Sequence, residues 1–78
     1  MNVCVVCEHG WIIKGVKDEK TTADVLILKE ASVVRRWSNG KGIGGIAKEA
    51  NKDEYVLDAI GDVEIRQNKV LFEIPCEW

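Results

Sequence analysis

Short runs of strand-forming residues, cut every 8–12 positions by turn-forming ones, constrain this chain more than any other feature. Asn2 to Cys7 is a β-type run in which alternation places Val3, Val5 and Cys7 on one face. Glu8-His9-Gly10 reads as a turn, and Trp11 to Val16 as a second strand with Trp11, Ile13 and Gly15 sharing a face. A glycine inside such a strand marks a bend or bulge. Lys17 to Thr22 is a polar hairpin loop, and Ala23 to Leu28 is a strand that turns Leu26 and Leu28 to the core. Ala31 to Trp37 is either another strand or the same one resumed after a bulge at Lys29-Glu30.

Further on, Tyr55 to Ile60 is apolar but interrupted by Asp58, and Gly61-Asp62 punctuates it. Val63-Glu64-Ile65-Arg66 alternates, Gln67-Asn68-Lys69 is a tight turn, and Val70 to Ile74 is a last strand that Pro75 ends. Between these halves Gly40 to Gly45 holds four glycines, followed by Ile43, Ile46, Ala47 and Ala50 at helical spacing. The expected architecture is a single mainly-β domain over residues 1–78: a small, strongly bent five-stranded barrel with one short helix at 43–50. Trp11, at a strand start, is expected in the core.

Size and charge narrow the function. At 78 residues the core is marginal, and oligomerisation is an expected supplement. With 46% hydrophobic and 31% charged residues the composition is that of an ordered globule. A net charge of −2 gives no global attraction to nucleic acid, so such a role needs a local basic patch. No apolar run approaches a membrane span, no leader-like segment opens the chain, and three cysteines fit reduced thiols, so the expected compartment is the cytoplasm.

Several motifs carry candidate chemistry. Arg35, Arg36, Trp37 and Lys41 combine cationic donors with an aromatic plane, the combination that binds single-stranded nucleic acid and that also favours protein interfaces. On a strand Arg35 and Arg36 point to opposite faces, so only one serves a given site. Gly40-Lys41-Gly42-Ile43-Gly44-Gly45 satisfies G-x-G-x-x-G, but a dinucleotide site needs a βαβ unit that this antiparallel pattern has no room for. The amides of Gly42, Gly44 and Gly45 remain candidates for holding a generic anion. Cys4, Cys7, His9 and Cys76 are the right residue types for zinc. Cys4 and Cys7, however, lie three apart on a strand and so face opposite sides, and the reading of small buried hydrophobes is preferred. No nucleophile signature accompanies His9, so the expected protein is not an enzyme and carries no cofactor.

The stretch from Ile60 through Arg66 to Ile74 resembles the second signature of Sm-like proteins: a strand ending in Ile-Arg-Gly, a tight turn, then a short apolar closing strand. Trp11 to Val16, a polar loop and Asp24-Val25-Leu26-Ile27-Leu28 are similar in layout to the first signature. The resemblance covers about half the chain. It implies a bent SH3-type barrel that assembles into rings through its edge strands, with RNA held by the two signature loops. Arg66 matches the family's arginine, Gln67 stands where it has glycine, and Asp24 stands where it has asparagine. An anionic side chain there repels phosphate unless paired. Val34-Arg35-Arg36-Trp37, the glycine segment after it and Val56-Leu57-Asp58 also resemble small proteins of phage and prophage type. Two functions are thus expected in order: a non-enzymatic, self-associating β assembly protein, then an Sm-like RNA or single-stranded nucleic-acid-binding module using Arg35 or Arg36, Trp37, Lys41 and Arg66.

Overall fold

The strands pair antiparallel, and the outcome is one five-stranded sheet ordered β4-β3-β2-β1-β5. The computed structural model describes residues 1–37, 44–46 and 55–77. The strands are β1 (Asn2–Cys7), β2 (Ile12–Lys17), β3 (Val25–Trp37), β4 (Tyr55–Arg66) and β5 (Val70–Pro75). β1 and β2 are joined through His9 and Gly10, both at positive φ (65° and 82°), the left-handed pair that suits a tight hairpin. Residues 44–46 are helical, within the 43–50 span expected.

β3 is one strand of 13 residues rather than two, and β4 is one strand of 12. Both cross their polar interruptions at the same place. The ladder shifts register between Leu28 and Ala31, with Glu30 at φ 50° next to Ala31, whose register partner is Gly61 at φ 75°. Asp62 holds the distortion in place: its Oδ1 accepts the Glu30 amide at 3.2 Å and its Oδ2 the Lys29 ammonium at 3.3 Å. One strand further across, β2 shifts register against β3 between Lys14 and Val16, around Gly15. A Cβ on Gly15 would lie 3.2 Å from the Cβ atoms of Leu28 and Ala31 and from the Lys29 carbonyl, so a side chain here fits only if β2 and β3 give by a few tenths of an ångström. These irregularities line up across three neighbouring strands and bend the sheet along one line.

The bend buries β1 on both faces. Val3, Val5 and Cys7 pack with Leu26, Leu28 and Ala31 in an inner core, joined by half-buried Ile13, Val63, Ile65 and Val70. Cys4 and Val6, on the opposite face, pack with Ile12, Val34, Ile46 and Tyr55 in a second core, with Leu57, Ile74 and Cys76 at its margin. Ile46 of the helical segment is fully covered, and the neighbouring Gly45 carbonyl accepts the Tyr55 hydroxyl at 3.3 Å.

The sheet does not close into the barrel expected from the strand count. β4 forms its ladder with β3 along its whole length, from Tyr55 to Arg66, while β5 pairs only with β1. The turn over Gln67–Lys69 carries the chain to Cys7 of β1 instead of folding β5 back on β4, so β4 and β5 remain the two edges. No helix among the described residues is long and apolar enough to cross a membrane.

Candidate functional site

Four of the exposed large apolar side chains lie on the two edge strands. Leu71 and Phe72 on β5 are 63% and 46% exposed; Val56 and Ile60 on β4 are 37% and 41% exposed. Consecutive Leu71 and Phe72 cannot both face inward on a regular strand, and β5 departs from regularity here, with a register shift between Val6 and Cys7 of β1 that bulges Leu71 out. That consecutive pair was the sequence signal for an exposed apolar edge.

Trp11 is placed differently from expectation. It stands 56% exposed at the turn between β1 and β2, where its carbonyl accepts the Cys7 amide at 2.7 Å. Here the inner core opens to the surface as a cleft of about 330 Å³ lined by Cys7, Trp11, Ile13 and Ile65, with His9 at its margin. Lys69 and Glu8 form an ion pair at 3.4 Å on its rim. The indole stands at the wall of this opening and not in the core. No local pattern around Gly10-Trp11 distinguishes this from a core position.

The basic candidates are spread over the sheet. Arg35 donates from Nε to Asp58 on β4 at 3.3 Å, an exposed pair worth about 0–1 kcal/mol that takes up one of the cations. Arg35 and Arg36, expected on opposite faces, instead line one recess of about 260 Å³ with Val56, because the register shift between Val34 and Arg36 breaks the alternation. Arg66 is opposite Val25 at the other end of the same ladder, while Arg36 is opposite Val56. Arg36 and Arg66 line separate recesses toward opposite ends of the β3–β4 ladder, so they do not share one site. The backbone of Trp37 ends β3 opposite Tyr55. Lys41 and Gly42 lie outside the described residues; Gly44 is exposed, and Gly45 is buried with its carbonyl engaged by Tyr55.

The β2–β3 loop and the β4–β5 turn meet. Gln67 donates its amide to the Asp24 carbonyl at 3.0 Å and its side-chain Nε2 to the Thr22 carbonyl at 3.1 Å. Gln67 thereby ties the β2–β3 loop to the β4–β5 turn. Arg66 and Glu64 both line the adjacent recess, which is therefore of mixed charge.

The thiols divide between the two cores. Cys7 belongs to the inner core and Cys4 to the second, on opposite faces of β1, while Cys76 sits half-buried near Cys4. Burial above all, with Cys76 nearby and a smaller opposing effect from Lys14, pushes the Cys4 thiol up to about 11. Burial also raises Cys7. His9 is exposed, and among the described residues no three His, Cys, Asp or Glu side chains gather to hold an ion.

Compared with family models, with curated proteins and with solved structures, the chain matches none.

Proposed function

We propose that this chain is a non-enzymatic β-sheet assembly module that associates with copies of itself edge to edge. The supporting observation is the open sheet: β4 and β5 have no second strand neighbour among the described residues, and each presents two exposed large apolar side chains. Such edges are templates for another strand unless they are blunted by charge, proline or a covering segment. β5 has Pro75 only at its end, and although it carries a bulge at Leu71 and Glu73 paired with Lys17, it leaves Leu71-Phe72 exposed. Addition of the β4 edge of one copy to the β5 edge of the next closes a ring if the rotation per copy divides a full turn. The resemblance to Sm-like and phage-type proteins agrees with such a role, and three free thiols fit action in the cytoplasm.

Light scattering over a concentration series tests this reading. A discrete oligomer that Phe72→Lys dissociates supports it; a monomer at the highest concentration refutes it. The recess lined by Arg35, Arg36 and Val56 favours a second reading, contact with single-stranded nucleic acid. Titration of a fluorescent single-stranded RNA at two salt concentrations separates the two. Affinity that falls steeply with salt, and falls again in Arg36→Ala and Trp37→Ala, supports nucleic-acid binding. A discrete oligomer that binds no RNA at low salt excludes it.

A further inference from the structure

We infer that the cleft at Trp11 is a socket for a second copy of this chain, filled by an apolar side chain from that copy's β4 edge, of which Ile60 is the more exposed. This rests on the edge-to-edge reading above and names what seats the contact. The first argument is area. β5 has six residues, so its edge is about 20 Å long; even about 10 Å deep it offers roughly 200 Å² against the about 800 Å² per partner of a stable interface. Strand pairing therefore needs adjoining surface. The second argument is position. Lys69 and Cys7 border the cleft, and Cys7 is the register partner of Val70, the first residue of β5, so the socket adjoins the start of that edge.

The third argument is chemistry. The floor and walls are a thiol, an indole and two isoleucines, and the charged groups, Glu8 and Lys69, are confined to the rim. An apolar centre ringed by polar groups, anchored by a tryptophan, is the anatomy of an interface hot spot. The volume accommodates an aliphatic side chain from outside, and the inner core is already filled by this chain's own residues. Ile60 stands beside Gly61 at the bend of β4, an exposed knob on the opposite edge of the sheet. Because the edge pairing runs from β4 of one copy to β5 of the next, the contact is head-to-tail.

The test uses Trp11→Ser, which removes the socket wall, and Ile60→Lys, which removes the knob. Both positions are exposed, and far-UV circular dichroism checks that each variant keeps the wild-type sheet signal. Sedimentation velocity is then run on wild type, on each variant and on their mixture. Each variant alone is expected to dissociate at concentrations where wild type is assembled, with self-affinity weakened at least about thirtyfold. The mixture is expected to form a one-to-one dimer and nothing larger, because one intact knob and one intact socket remain. A Trp11→Ser protein that assembles like wild type overturns the socket and leaves edge pairing standing. A mixture that stays monomeric, or that forms the full assembly, overturns the head-to-tail contact. Monomeric wild type overturns the edge-to-edge reading and the socket together.

Discussion

Gly15→Ala tests the bend that shapes the whole sheet. The added methyl would lie 3.2 Å from the Cβ atoms of Leu28 and Ala31 and 3.2 Å from the Lys29 carbonyl oxygen. Carbon pairs rest at about 3.5–4.0 Å, so each carbon contact is a few tenths of an ångström or more too short. None of the three neighbours is the free end of a flexible side chain. Two are Cβ atoms of residues at most 1% exposed, and the third is backbone at the ladder's irregularity. Gly15 itself is not at positive φ, so the cost is steric and not conformational. Overpacking of this kind costs about 1–3 kcal/mol, and alanine returns about 0.4–1 kcal/mol by stiffening the unfolded chain. The net expectation is a loss of about 1–2 kcal/mol, or a Tm lower by about 4–8 °C per kcal/mol for a domain of this size. Urea unfolding followed by tryptophan fluorescence measures it, with variant and wild type at one protein concentration because association shifts apparent stability. In a double-mutant cycle, Ala31→Gly removes one of the three contacts, so it should reduce the cost of Gly15→Ala by about 0.5 kcal/mol or more. A neutral or stabilising Gly15→Ala would refute the close approach of β2 and β3 and with it this account of the bend.

Gly61→Ala should destabilise for the opposite reason. A Cβ at Gly61 would meet nothing within 4 Å, but φ of 75° disfavours an L residue by about 1–2 kcal/mol, and Gly61→Asn should cost less than Gly61→Ala in the same urea assay. Asp62 is held below the ordinary aspartate range by the Glu30 amide first and the Lys29 ammonium second. Its folded form therefore favours the carboxylate: the stability it adds is present above about pH 4 and is lost as pH falls through the lower folded value. Asp62→Asn should flatten that acid limb of a stability–pH profile; an unchanged limb would remove Asp62 from the bend. The raised Cys4 thiol runs the other way. Its protonated form is favoured by folding, so its contribution is intact below about pH 8.5 and is lost as pH rises toward 11. At pH 8 iodoacetamide should label half-buried Cys76 before buried Cys4 and Cys7, as read by peptide mass spectrometry; equal labelling of all three would show that β1 is not covered on both faces.

What the amino-acid sequence determined by itself is the local content of the sheet. Alternation at Val3, Val5 and Cys7, the Gly15 bend, the turn at Gln67–Lys69 and the stop at Pro75 are all written in neighbouring residues, and the structure has each of them. These are short-range effects of pleat, backbone freedom and missing donors, and they act before any partner arrives. Tertiary structure decided what depends on distant chain. Lys29-Glu30 and Gly61-Asp62 read as breaks, yet β3 and β4 run through them because each irregularity meets the other and Asp62 ties them. Cys4 and Val6 are buried although they alternate away from the inner core, because Val34, Ile46 and Tyr55 return to cover them. Trp11 stands at the surface, on the wall of a cleft that Cys7, Ile13 and Ile65 bring together from three different strands. The sheet stays open because β4 and β5 each satisfy their ladder with a different neighbour. Closure is a property of register across all five strands, and no single stretch of sequence encodes it.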